Sequence, residues 1–187
     1  MANDTRSRMI EAAIEGLQQR GLNGMSFTDV LASSGAARGA IYHHFPGGKR
    51  QLAAEAAARF GADVLARLGN LPGVTPVGVV EAFLAEIRPV IEASTHGRGC
   101  AVAAVTVDPD PTGDELRTIA AAAFTAWGRQ LATALETAGL SAESATDLAS
   151  LLITVLEGSQ VLCRATGNLD AFDQATRAVL RVCAMPA

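Results

Sequence analysis

Apolar residues recur at helical spacing along almost the whole chain, and the interruptions of that pattern mark its elements. Met9, Ile10, Ala13, Ile14 and Leu17 define one face of a first helix over about Thr5 to Arg20, closed by Gly21. Leu22 to Met25 is a connecting turn. Ser26 followed three residues later by Asp29 is a close relative of the capping box, so a short helix opens there and carries Val30 and Leu31 inward until Gly35 stops it. Beyond the turn Ser-Gly-Ala-Ala, a second short helix over about Ala37 to His44 puts Ala40, Ile41 and Phe45 on its packing side. Arg38, Gly39, Tyr42 and His43 are left outward, and Pro46, Gly47 and Gly48 end the helix.

A long helix follows from about Gly48 to Leu68, with Leu52, Ala56, Phe60, Val64 and Leu68 close to helical spacing. The loop Gly69 to Pro76 has the strongest turn chemistry between long helices and marks a domain boundary. Val77 to Ala93 reads as a helix that Pro89 kinks or partly ends. Cys100 to Val107 is a short strand or a helix by pattern alone; its neighbours favour helix, and Asp108-Pro109-Asp110-Pro111 stops it. Three long helices complete the chain, over Thr112 to Ala138, Ser141 to Thr166 and Asp170 to Ala184. The last two are apolar on more than one side. They are either central helices of the monomer or the two helices that meet their copies in a four-helix dimer interface.

Composition agrees with an all-α fold. Hydrophobic residues make up 49% and aromatics 4%, so Ala, Leu and Val build the core, and β-branched runs are few. The net charge of −4 argues against nucleic acid until it is divided: residues 1–60 hold seven Lys/Arg against five Asp/Glu, or +2, leaving −6 for the rest. No apolar run approaches the roughly 18 residues that span a bilayer, and the N-terminus lacks the apolar core of a signal peptide, which points to the cytoplasm and to no membrane partner. Cys100, Cys163 and Cys183 are too few and odd in number for a disulfide framework, and read as buried small hydrophobes.

The chemistry sits between Ser26 and Lys49. Two short helices around a glycine turn form a helix-turn-helix, and the free face of the second suits a major-groove reader. Arg38 and His43 can bond base edges or phosphate, Gly39 lets the backbone approach, and the Tyr42 hydroxyl reaches a phosphate. Of the adjacent histidines, His43 faces DNA and His44 makes a local hydrogen bond. Lys49, the only lysine, opens the next helix, where ammonium and helix end together favour phosphate. Arg6 and Arg8 are either an arm to the DNA backbone or two solvated charges.

The run from Thr5 to Leu52 joins a polar cap, Gly35 in the turn, the block Gly-x-Ile-Tyr-x-His-Phe and a late Lys at fixed spacing. It resembles the TetR family of bacterial transcription regulators. The three-residue link Pro46-Gly47-Gly48, the Gly-Cys-x-x-Ala-Ala block at Gly99 and the Glu-Gly-x-x-x-Leu-x-Arg block at Glu157 resemble its LmrA/YxaF-like branch. The resemblance implies a DNA-binding domain over 1–48, a connecting helix over about 48–69, and a helical ligand-binding and dimerisation domain over 70–187, about nine helices in all. It also implies that Ser26, Thr28, Arg38, Gly39, Tyr42, His43 and Lys49 meet double-stranded DNA. Phe83, Ile87, His96, Cys100, Phe124, Trp127, Leu131, Val155, Ser159 and Cys163 would line an effector pocket, with Trp127 either stacking on a planar guest or plain core. Leu148, Leu152, Leu162, Phe172 and Val179 would meet the second copy.

The function so implied is a ligand-responsive dimeric repressor of a palindromic operator, released by a small molecule of unknown identity and needing no metal or other cofactor. A DNA-binding regulator controlled by a protein partner is the alternative. A small helical enzyme is the third reading, and it has little to stand on. His96 and Cys100 lie four apart with glycines between them and no third partner, and no P-loop, dinucleotide turn or Cys-x-x-Cys is present.

Overall fold

The computed structural model describes residues 2–107 and 114–184. Among them the chain is all-α, with nine helices: α1 (Ala2–Gly24), α2 (Phe27–Ser34), α3 (Ala40–His44), α4 (Gly48–Leu68), α5 (Pro76–Thr95), α6 (Ala101–Val107), α7 (Asp114–Thr137), α8 (Ala142–Thr166) and α9 (Asp170–Cys183). The undecided segment after Cys100 is helical. The stop expected at Asp108 to Pro111 lies outside the described residues.

Contacts divide the chain into two compact units, Met1–Asp63 with Gly99–Ala123, and Val64–Arg98 with Phe124–Ala187. The division falls inside α4 and α7, so the loop at 69–76 where the sequence suggests a boundary belongs to the second unit. In the first unit α1 packs on α2 and on α6. Met9, Ala13 and Leu17 of α1, Val30, Ile41, Phe45 and Leu52 are all buried there, together with Val102 and Val105 of α6. Small residues let α4 come close to its neighbours. Ala53, Ala56 and Ala57 are fully buried, and a Cβ added at Gly61 would stand 3.0 Å from Ala123 Cβ.

The second unit is built on α5, α8 and α9, which pack on one another. Larger side chains fill it: Phe83, Ile87 and Ile91 of α5, Trp127, Leu131 and Leu135 of α7, Leu152 and Leu156 of α8, Phe172 and Val179 of α9. Burying an aromatic or branched aliphatic side chain of this kind contributes about 1.5–3 kcal/mol each. Thr75 caps α5 by accepting the Gly78 amide at 3.1 Å, with Pro76 in the first helical position. Pro89 does not end α5, which runs on to Thr95. The buried row Phe83, Ile87 and Ile91 passes Pro89 on both sides and holds the helix against α8 and α9, outweighing the lost amide. Arg88 ties α5 to α9, donating to Asp173 Oδ1 at 2.9 Å and lying over the Phe172 ring. That hydrogen bond, and then the Asp173 charge, hold its guanidinium more firmly protonated than usual.

One correction concerns length. By length and composition α8 is long and apolar enough to cross a membrane. Its inward face is that of a core helix, since Ala145, Ala149, Leu152, Leu156 and Cys163 are buried on it.

Candidate nucleic-acid interface

The candidate face is assembled by short-range devices. Ser26 Oγ accepts the Asp29 amide at 3.1 Å and opens α2. The Asp29 carboxylate does not complete the capping box; it pairs with Arg20 at 3.4 Å. Gly35 follows α2 at φ 65, in the left-handed region where a side chain is strained, and turns the chain toward α3. α3 is held by Ile41 and Phe45, both essentially buried.

Thr28, Arg38, Gly39 and His43 are exposed. Tyr42 is 68% exposed, its ring edge-on to Phe27 at 6.3 Å. One guanidinium, one phenol and one imidazole thus share an open face with a residue that has no side chain. This is the chemistry that phosphate oxygens and base edges accept from a recognition helix. His44 is half-buried, between the rings of His43 and Phe45. Ser26 and Lys49 have duties within the protomer: the Ser26 hydroxyl is engaged in the cap, and Lys49 Nζ donates to the Asn23 carbonyl at 3.1 Å.

Arg6 and Arg8 both have partners within the protomer, although each remains partly open to solvent. Arg8 Nε donates to the Ser34 carbonyl at 3.0 Å, satisfying the C-terminal end of α2, and its guanidinium also pairs with Asp4. Arg6 pairs with Glu55 and lies over the Phe45 ring. The sequence carried no local signal for the Arg6 pair, whose partner is 49 residues away.

The residues that the sequence suggests for an effector pocket fall in both units and differ in burial. Phe83, Ile87, Trp127, Leu131, Ser159 and Cys163 are buried in the second unit, Val155 is half-buried and His96 exposed, whereas Cys100 is buried in the first unit. A groove of about 420 Å³ lies between α7 and α8. Phe124, Thr125, Gly128, Arg129 and Ala132 line one side, Thr146, Ser150, Ile153 and Thr154 the other. Of the ten suggested residues Phe124 alone lines it, resting edge-on against Trp127 at 5.2 Å. The other lining residues lie away from the apolar stripes that the sequence shows.

The suggested dimer residues divide in the same way. Leu152, Phe172 and Val179 are buried within the second unit, where α5, α8 and α9 pack on one another. Leu148 is half-buried and Leu162 is 55% exposed. The outward apolar residues of the two helices are Leu151, Val161, Leu162 and Val182. Cys100 and Cys163 are buried free thiols, and burial pushes the Cys183 thiol up. Among the described residues no group of His, Cys, Asp and Glu is arranged to hold a metal ion.

Residues 9–56 match the model of bacterial regulatory proteins of the tetR family, and residues 76–178 match the C-terminal domain of LmrA/YxaF-like transcriptional regulators. The chain belongs to the TetR family. An uncharacterized HTH-type transcriptional regulator of Mycobacterium tuberculosis is 32% identical over 173 residues, covering 90% of this chain and 88% of that protein. A TetR transcriptional regulator from Legionella pneumophila has the same fold, with a TM-score of 0.80, 22% identity and coverage of 94% and 95% of the two chains. So does the TetR regulator CifR, solved as a cysteine mutant on a 26bp double-strand operator, with a TM-score of 0.74, 18% identity and 96% of each chain covered. This TetR-family chain is therefore a DNA-binding transcriptional regulator and not an enzyme.

Proposed function

We propose that this regulator is a cytoplasmic repressor that binds a palindromic operator as a homodimer through Arg38, Gly39, Tyr42 and His43, and leaves it when a small molecule binds the second unit. The observation that carries the reading is the open α3 face, where these four residues are exposed together. A five-residue helix reaches only a few base pairs. Two copies about one helical turn (~34 Å) apart double the phosphate contacts and make the target a palindrome.

The outward residues of α8 and α9 support the dimer. Leu151, Gly158 and Leu162 are spaced seven and four apart, on one side of α8. Gly158 is a mid-helix glycine whose added Cβ would meet nothing in the protomer. A glycine there costs the helix about 1 kcal/mol relative to Ala with no return inside one copy, and close approach of a second helix accounts for it. The α7–α8 groove, at about 420 Å³, is of ligand size and supports the effector reading. α4 is a continuous 21-residue helix starting at the reading head, and an effector that shifts it needs a coupling of only roughly 1–3 kcal/mol to change affinity 5- to 150-fold.

The test is selection of bound sequences from a random duplex DNA pool at a stated salt concentration, repeated with Tyr42→Phe/His43→Ala protein. An enriched palindrome lost in the variant is the expected result. Enrichment that survives the double substitution would remove the assigned face from DNA reading.

A further inference from the structure

We infer that Gln51 and Glu55 are positioning residues for DNA reading: together with Arg6 they close a ring of contacts that fixes the turn between α3 and α4. The inference rests on the assignment of the α3 face.

α3 spans only Ala40–His44 and has no side-chain cap at its start, so its own hydrogen bonds cannot set its direction. Its far end must be held from outside. There the chain reverses through Pro46, Gly47 and Gly48; the Gly48 amide donates to the Phe45 carbonyl at 2.9 Å, with φ 70 at Gly48. The Gly47 amide donates to Gln51 Oε1 at 2.8 Å. Gln51 Nε2 donates to Glu55 Oε1 at 3.0 Å, and Glu55 Oε2 accepts from Arg6 Nη2. The Arg6 guanidinium stands 5.1 Å from the centroid of the Phe45 ring, which is fully buried at the end of α3. The circuit runs from α3 through the turn and α4 to α1, and back to α3.

Two further observations show that the ring is fitted. The Gln51 amide has one orientation that satisfies both neighbours; flipped, it would set a donor against the Gly47 amide and an acceptor against the Glu55 carboxylate. A Cβ at Gly47 would lie 3.1 Å from both Cβ and Oε1 of Gln51, so a side chain there would press on the amide that holds the turn. The ring also explains why an acid is tolerated in the reading domain: the Glu55 charge is matched by Arg6.

The partners can be exchanged without changing net charge. Gln51→Glu alone sets two carboxylates against each other, and Glu55→Gln alone sets a donor against a donor. In the double variant Gln51→Glu/Glu55→Gln, the carboxylate at 51 accepts from both the Gly47 amide and the new amide at 55, whose oxygen still accepts from Arg6. Binding is measured by fluorescence anisotropy with a duplex carrying the selected palindrome over a series of salt concentrations. Thermal melts of each protein and amide exchange at Gly47 accompany it. Each single variant should bind about tenfold more weakly, and the double should return to within about threefold of the native protein, with Gly47 protected again. Arg6→Met should weaken binding without changing the slope of log K against log salt.

Several outcomes overturn the inference: tighter binding by Glu55→Gln, as removal of an acid beside DNA predicts on charge alone; a double variant no better than the singles; or a slope reduced by about 0.9 in Arg6→Met, the mark of a lost phosphate contact. If a single variant fails to fold, the double decides. If Tyr42→Phe/His43→Ala protein binds like the native one, the face has failed, and Gly47 exchange still tells whether the ring holds the turn.

Discussion

Gly39→Ala should separate function from stability, because the two respond to different features of one residue. Gly39 has φ −73 and ψ −18, an ordinary right-handed conformation that alanine adopts without strain. An added Cβ meets nothing within 4 Å. Two small terms act on stability. Alanine restricts the unfolded chain and stabilises by about 0.4–1 kcal/mol, while as the residue preceding α3 it is a poorer cap than glycine by roughly 0.5–1 kcal/mol. They oppose, so stability should stay within about 1 kcal/mol of native, which is at most about 4 °C in Tm for a chain of this length. DNA binding should behave otherwise. If the Gly39 backbone approaches a phosphate, a methyl group there breaks a charge-assisted hydrogen bond of about 1.5–3 kcal/mol, or roughly 10- to 150-fold in affinity. Anisotropy with the selected duplex and a thermal melt on the same samples read both quantities. Affinity within twofold of native would refute close approach at Gly39, and a fall of more than 6 °C in Tm would refute the conformation on which the estimate rests.

Ser26→Ala removes the hydroxyl that accepts the Asp29 amide and should destabilise the protein by about 1 kcal/mol in a denaturant titration; no change would mean that the cap is not formed in solution. Val161→Asp/Leu162→Asp changes two exposed side chains and should leave the melt nearly unchanged while sedimentation shows monomer and operator binding is lost; a dimer that persists would move the interface elsewhere. Because burial raises the Cys183 thiol, less thiolate is present at pH 8 than for a free cysteine. Its alkylation should be slower there and rise at higher pH; a faster rate than a free thiol would reverse the sign.

What could be read from the sequence was local. The Ser26 cap, the Gly35 turn and the inward pair Ile41 and Phe45 are each specified within a few residues, and they stand as the spacing suggests. Periodicity also showed that α8 and α9 carry wide apolar faces, yet it could not say which side another helix would take. Leu152, Phe172 and Val179 went to the core of the protomer, leaving Leu162 outside. Pro89 illustrates tertiary override, since a residue that breaks helices in isolation sits within a helix pinned on both sides. The α7–α8 groove was illegible for a geometric reason. It is lined partly by Thr125, Thr146, Ser150 and Thr154, which read as solvated positions until two helices are set side by side.

The same distinction separates the two units by the kind of force that orders them. In the second, large side chains such as Phe83, Trp127, Leu131 and Phe172 are each buried, as their apolar stripes are enough to forecast. α3 cannot be held that way. A helix that must leave Tyr42 and His43 open can bury little, and burial of Ile41 and Phe45 fixes its position but not its direction. Direction therefore comes from polar groups that point at one another across the turn, at Gly47, Gln51, Glu55 and Arg6. Hydrogen bonds suit this task because their strength falls steeply with angle, whereas apolar contact is indifferent to a rotation of α3 about Phe45. A reading helix oriented by such bonds can be retuned by small changes several residues from the DNA, without altering any residue on its exposed face.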